Sequence, residues 1–316
     1  MEKKVIAYKG FDKNLKCRGF QYEVGKEYEM SGRIACCERG FHACESPLEV
    51  FDHYDMLDSR FAEVEQSGEI DKEENTTKVC SSRIKVKAEL KLADIINLGI
   101  EWIKDVTSPA KLKKETDLND NGNNSAKIGS SGYSAQIGSS GYSAKIGSSG
   151  DYAQIGSSGY YAKIGSSGDY AQIGSSGYYA KIGSSGDYAK IGSSGDYAQI
   201  GSSGYSAQIG SSGDYAQIGS SGDSAQIGSS GYYAKIGSSG DSAQIESTGN
   251  HSVVMAAGNN SIAKAKIGSW ITLAEWNYVD DVWTPICVKT EQVDGERIKA
   301  DTFYKLVNGE FKEVEE

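Results

Sequence analysis

The chain runs to 316 residues with 39 Gly, only 3 Pro and a formal net charge of −10. That length is more than one small domain needs, and the scarcity of proline excludes collagen-like and polyproline architectures. No window approaches the roughly 18 apolar residues of a membrane span, and without a basic stripe the chain is not built to grip a phosphate backbone. Neither a membrane nor a nucleic acid is therefore expected as a partner.

Residues 1–8 lack a long apolar stretch, so no secretory signal is expected there. Five cysteines (Cys17, Cys36, Cys37, Cys44 and Cys80) precede residue 81, and Cys287 stands alone. Without secretion these are expected as reduced thiols in a cytoplasmic setting.

Residues 1–108 read as a small α+β domain. Ser46-Pro47-Leu48-Glu49 has the pattern of a helix start, with Ser as N-cap, Pro at the first helical position and Glu three residues after the cap. Glu63 and Glu65, two residues apart, lie on one face of an expected strand. From Arg83 to Leu92 the pattern alternates strictly, which places Ile84, Val86, Ala88, Leu90 and Leu92 on one buried face. Residues 92–106 then carry Ile95, Ile96, Trp102 and Ile103 at helical spacing. A polar linker is expected over 109–121.

Residues 122–267 form the repetitive region. The unit is A-[KQ]-I-G-S-S-G-[DY]-[YS]; it recurs thirteen times from Ala126 to Ser242, and two degenerate copies follow, for about 15 in all. A period this regular calls for stacked repeats. In Tyr161-Ala162-Lys163-Ile164, alternation puts Ala162 and Ile164 on one face and Tyr161 and Lys163 on the other. Gly165-Ser166-Ser167-Gly168 is expected to supply the bend through glycines at positive φ. Two units, 18 residues, then close one coil of a two-sheet β-solenoid. Residues 153–170 and 171–188 are identical 18-residue blocks, so Lys127, Lys145, Lys163 and Lys181 are expected to stack on one face and Gln136, Gln154 and Gln172 on the other. A lone coil buries too little to offset the ordering of its backbone, so the array folds only by stacking. Its exposed ends need caps.

Residues 268–316 follow as a C-terminal β cap. Trp270, Ile271, Leu273 and Trp276 are strand formers, and Asp294-Gly295 and Asn308-Gly309 have the pattern of two tight hairpins. The fold class expected is therefore mainly β, a solenoid of about 15 nonapeptides between an α+β domain and a β cap.

The candidate binding surface is the outward side of the solenoid. Its residues are Tyr152, Tyr161, Tyr170, Tyr179, Tyr188, Tyr197, Tyr215 and Tyr233, with Lys145, Lys163 and Lys181. Aligned tyrosines stabilise a sheet by cross-strand pairing and also serve interfaces, so a protein or a glycan is the expected partner, with self-association left open. No cofactor is expected. Calcium-loaded β-rolls need Asp at the sixth position of G-G-x-G-x-D-x-U-x, but Gly165-Ser166-Ser167-Gly168-Asp169 has it one place early. His42 and Cys44, with Cys36, Cys37 and Cys17, offer metal-ligand chemistry at no standard zinc spacing.

Two groups of motifs carry a resemblance. Tyr8-Lys9-Gly10-Phe11, Leu15-Lys16-Cys17, Gly40-Phe41-His42-Ala43-Cys44 and Arg60-Phe61-Ala62-Glu63-Val64-Glu65 resemble an uncharacterised N-terminal domain of phage and prophage repeat proteins. The segment Lys299-Ala300-Asp301-Thr302-Phe303-Tyr304 onward resembles the end of the same family. This implies a phage or prophage setting, in the host cytoplasm or on a virion. The repeats are also similar to the β-roll heads of trimeric autotransporter adhesins, although the secretion signals and anchors of that family are not recognisable here. Tyr8-Lys9-Gly10 with Glu63 and Glu65 is distantly similar to ADP-ribosyltransferases, where a carboxylate near a sugar stabilises developing cationic charge. The function expected is a non-catalytic binding or assembly rod. The rivals are an anti-host-defence inhibitor acting through an acidic surface and an enzyme carried on residues 1–108.

Overall fold

The computed structural model describes residues 4–73, 76–106, 118–120 and 126–314. They fall into two units, divided between Trp102 and Ile103. Most of the expected linker over 109–121 lies outside the described residues.

The first unit is built on strands β1 (Val5–Phe11), β2 (Lys16–Cys17), β3 (Phe20–Gln21), β4 (Glu27–Glu29), β5 (Phe41–Cys44), β6 (Arg60–Lys72) and β7 (Lys78–Leu90). The sheet order is β4-β7-β5-β1-β6, and β6 also pairs with β7, so four strands close on themselves. Closure is possible because β6 and β7 are both 13 residues long and bend at bulges. Ala7, Phe11, Phe41, Val64, Val79, Ile84 and Val86 fill the interior. The alternation expected from Arg83 to Leu92 holds only in its first half. Glu63 faces Ala88 and Val64 faces Val86, so Lys87 is the extra residue of a bulge, which reverses the side-chain alternation. Ala88 is exposed in consequence.

Helix α1 (Leu92–Val106) forms where expected. A Cβ on its Gly99 would lie 2.6 Å from Leu48 Cδ2, so glycine lets α1 approach the short 3-10 helix Leu48–Asp52. That 3-10 helix replaces the α-helix expected after Ser46. Its cap position is Pro47, with no side-chain cap. Glu49 is committed elsewhere, its Oε2 accepting from Thr77 N (2.9 Å) and Thr77 Oγ1 (2.6 Å).

The second unit is a β-solenoid of about 8 turns of 18 residues between 127 and 273. Four-residue strands alternate between two sheets, and within each sheet every residue pairs in parallel with the one 18 positions on, as Lys145 with Lys163 and Ile146 with Ile164. Each coil turns inward two Ala, two Ile and the first Ser of each repeat; Ala162 and Ala171 are fully buried and Ile164 is 4 % exposed. In some repeats the inward Ser also helps close the corner, as Ser157 Oγ accepts from Gly159 N at 3.3 Å, whereas Ser166, Ser184 and Ser202 Oγ are buried without a hydrogen-bond partner.

The corner is not made by glycines at positive φ, as had been expected. None of the thirteen clear repeats has a glycine there; in ten of them the left-handed residue is the ninth, as in Tyr152 (φ 57°), Tyr170 (56°) and Tyr188 (55°), while Ser143, Tyr161 and Tyr179 are the exceptions. Such a backbone costs an L-residue about 1–2 kcal/mol. It is tolerated because the peptide it orients bonds to the next coil, Tyr152 N to Asp169 O at 2.8 Å. The second glycine has a different purpose. A Cβ on Gly168 would sit 2.1 Å from Gly150 O, directly beneath it. The first glycine is unconstrained in that sense, since a Cβ on Gly165 would meet nothing within 4 Å.

The array ends in antiparallel structure. Strand Trp270–Val279 pairs in parallel with Val253–Ala256 and then turns back through Asp280 and Asp281 into Val282–Gln292. Both turn residues have positive φ (50° and 63°), as a tight two-residue hairpin requires. Asn308-Gly309 makes the hairpin expected of it, joining Tyr304–Val307 to Glu310–Glu313. Asp294-Gly295 does not: Asp294 Oδ1 instead accepts from the N–H groups of Glu296, Arg297 and Ile298, which closes a local turn. At the other end, Leu118–Asp120 pairs with the strand Gln136–Ser139, so the parallel stack begins ahead of Ala126.

The two glycines of a repeat should respond oppositely to substitution. Gly168→Ala is expected to destabilise the neighbouring coils by at least about 2 kcal/mol, whereas Gly165→Ala should be neutral or stabilising by up to about 1 kcal/mol. Hydrogen exchange of the coil amides distinguishes the two.

Candidate functional site

Register turns the second residue of alternate repeats into rows. Lys127, Lys145, Lys163, Lys181, Gln199, Gln217 and Lys235 form one row on the outer face of one sheet. Beside it runs a row of first glycines, and together they shape a shallow trough of about 1280 Å³ from Lys127 to Val253. Val253 and Met255 end the trough, because Met255 stands where the preceding coils have glycine. Among the described residues no carboxylate pairs with Lys145, Lys163 or Lys181.

The opposite sheet is unlike it. Gln136, Gln154, Gln172 and then Lys190 align there, but Gln172 and Lys190 are only 7 % and 4 % exposed. The lysine trough is therefore the more accessible of the two faces.

The tyrosines lie on the corners between the sheets, so the eight named from the sequence divide into two stacks. Tyr161, Tyr179, Tyr197, Tyr215 and Tyr233 share one corner, with centroid separations of 4.9–5.4 Å, and His251 continues the column. Tyr152, Tyr170 and Tyr188 share the other, at 5.0 Å. Tyr161 and Tyr179 also border a smaller depression with Lys145, Lys163 and Lys181. Because neighbouring rings cover each other's faces, the columns offer ring edges and hydroxyls to solvent. The aspartates at these corners are structural: Asp151 Oδ1 accepts from Asp169 N (2.9 Å), and Asp169 Oδ1 from Asp187 N (2.8 Å).

The first unit has a cleft of about 1040 Å³ that the sequence did not disclose. At its base Lys9 is only 4 % exposed. Its Nζ donates to His42 O at 2.9 Å and lies 3.5 Å from Cys17 Sγ, with the rings of Phe11, Tyr22 and Tyr54 at 5.6–5.9 Å. Cys17 Sγ in turn contacts Tyr54 Oη at 2.9 Å. Burial, first of all, lowers the Lys9 pKa below its ordinary 10.5. His42 is pushed down by burial and then by the Lys9 charge, and its Nε2 accepts from Cys37 N. One signal was available: in β1 the alternating inward positions are Val5, Ala7, Lys9 and Phe11, which sets a charge on the apolar face.

Glu63 and Glu65 do not line this cleft. Glu63 pairs with Lys87 at 2.6 Å and Glu65 with Lys4 at 2.7 Å. The thiols and imidazole considered as one ligand set are also dispersed. Cys17 faces Lys9 and Tyr54, Cys37 lies near Glu73 and Lys78, and Cys36 meets Asp71 and Cys80.

The fold and surface define a β-solenoid repeat protein with an appended small barrel. Residues 5–98, the barrel and the start of α1, match a family described only as a domain of unknown function, DUF7666. No curated protein and no solved structure matches the chain.

Replacing Lys9 tests the electrostatics of the cleft. With its pKa lowered in the folded state, Lys9 binds fewer protons folded than unfolded as the pH approaches 10.5, so its contribution to stability rises over that window and levels off above it. Stability relative to Lys9→Met should therefore increase toward alkaline pH. Chemical denaturation of both proteins between neutral pH and 10.5, followed by exchange of the β1 amides, measures the difference.

Proposed function

We propose that the protein is a non-catalytic binding rod whose lysine trough holds an extended anionic partner, with an acidic glycan as its first candidate. The observation that carries this reading is the row of Lys145, Lys163 and Lys181, unpaired by any described carboxylate beside a glycine-floored trough. Charges repeat once per coil, roughly every 4.8 Å, and a flexible polymer with one carboxylate per sugar can follow them. The tyrosine hydroxyls beside the row suit a hydroxyl-rich ligand. The setting we propose is a phage or prophage one, supported by the resemblance of the N-terminal motifs and of the tail. An inhibitor acting through an acidic surface finds less support, because corner aspartates such as Asp151 and Asp169 are engaged by backbone N–H groups.

Binding of the full chain to polygalacturonate, with neutral dextran as control, tests the proposal. Binding should weaken with salt, and Lys145→Ala/Lys163→Ala/Lys181→Ala should lose at least about tenfold in affinity, since it removes three charge contacts. Equal binding by the triple variant, or equal binding of dextran, overturns it.

A further inference from the structure

We infer that the first unit contains a metal site for a thiophilic divalent cation, best matched by zinc, formed by the Cys36 and Cys80 thiolates and the Asp71 carboxylate. One ligand atom from each residue lies within 4.8 Å of the others. Two sulfurs bound to one tetrahedral zinc at about 2.3 Å stand roughly 3.8 Å apart, so only a small closing movement is needed.

The scaffold explains why these three meet although they are far apart in sequence. Asp71 and Cys80 are direct cross-strand partners in the β6–β7 ladder. Rigid sheet structure thus supplies two ligands in advance, as a pre-formed site requires. The third comes from the tight loop between Ala35 and Arg39, which close on each other as a β-bridge. That loop is held over the ladder by Cys36 N donating to Asp71 Oδ2 (2.9 Å) and Cys36 Sγ to Asp71 O (3.3 Å). Close packing continues behind it: a Cβ on Gly40, at φ +143°, would lie 3.2 Å from Cys80 Sγ. The backbone bond to Asp71 Oδ2 orients the carboxylate, which is the usual task of groups surrounding a metal.

Cys80 is fully buried, whereas Cys36 is only half-buried. With three protein ligands, the fourth position of a tetrahedral zinc would be left to water. Binding displaces one proton from each thiol, so affinity should increase with pH. Cys37 and Glu38 of the same loop line the Lys9 cleft. The ion would act as a clamp that fixes one wall of that cleft.

Cobalt(II) titration of the reduced, chelator-treated full chain tests the site. One equivalent should produce thiolate-to-cobalt charge transfer in the near ultraviolet with the intense visible bands of four-coordination, and zinc should abolish both. Cys36→Ser, a loop change that leaves the barrel packing intact, should remove the charge-transfer signal. Asp71→Asn should weaken binding at least about tenfold, and Cys287→Ser should change nothing. Zinc should also slow exchange of the residue 35–39 amides in the unsubstituted protein but not in Cys36→Ser. Absence of the cobalt spectrum overturns the inference, as does a full spectrum retained by Cys36→Ser. A Cys36–Cys80 disulfide whose reduced form takes no cobalt overturns it equally.

Discussion

The solenoid depends on how closely one coil can sit on the next. At the seventh position of the repeat the backbone passes so near the coil beneath that a Cβ would overlap a carbonyl oxygen, at 2.0 Å for Gly186 over Gly168 and 1.9 Å for Gly222 over Gly204. Glycine there keeps the coil spacing at the value backbone hydrogen bonds require. The remaining inward positions follow from that spacing. Layers set this close leave room for Ala at the first position, Ile at the third and Ser at the fifth, and these recur with little change through the array. Even the last degenerate copies keep the contact, as Gly249 over Gly231 and Gly258 over Gly240. They change at the fourth position, where Glu246 and Met255 replace glycine; in the row that ends at Met255 a Cβ on Gly201 or Gly219 would meet nothing within 4 Å.

The corners show how the same spacing limits sequence choice at positions eight and nine. Position nine takes a left-handed backbone in most repeats, yet it is Tyr or Ser in the clear repeats. Bonding to the next coil and ring stacking both offset the local strain. Position eight is divided between Asp and Tyr for a related reason. Asp151 or Asp196 bonds the backbone of the following coil directly, while Tyr142 and Tyr160 stack on their successors. Where Tyr178 is followed by Asp196, the hydrogen-bonding direction changes: Tyr179 N donates back to Tyr160 O, but Tyr197 N donates forward to Asp214 O. The tyrosine column runs through this change with only a tilt of 37° between Tyr179 and Tyr197.

What could be read from the sequence was whatever repeats at a fixed period. The 18-residue coil, the two sheets, the inward Ala and Ile, and the separation of Lys127, Lys145, Lys163 and Lys181 from Gln136, Gln154 and Gln172 all follow from alternation and register. The left-handed ninth position was not legible, since Tyr at positive φ runs against single-residue preference and arises only from contact between coils. The tyrosines fall on corners, not on a sheet face, because each strand begins at the second residue of the repeat, as at Lys163, and Tyr161 precedes it. In the barrel, a bulge at Lys87 and the three-residue meeting of Cys36, Asp71 and Cys80 depend on pairing between distant strands, which no local pattern records. Lys9 was the exception, visible as a charge at an inward position of an otherwise apolar alternation.

Periodicity also bears on why the lysine row is informative. In-register parallel stacking places Lys145 directly beside Lys163, and Lys163 beside Lys181, and like charges in direct apposition destabilise a sheet. Gln at the same position serves the array without that repulsion, as Gln199 and Gln217 do farther along the same row. A stretch of adjacent lysines is therefore not explained by the stability of the coils. Duplication of an 18-residue block can create such a row, but it does not relieve the repulsion, which salt reduces and a bound polyanion would neutralise. The corner carboxylates do not pair with it: Asp151, Asp169 and Asp187 accept backbone N–H bonds along their own column, and among the described residues no carboxylate forms an ion pair with Lys145, Lys163 or Lys181. The unmet charge of the trough is thus the property of the rod that intramolecular contacts leave most open to a partner.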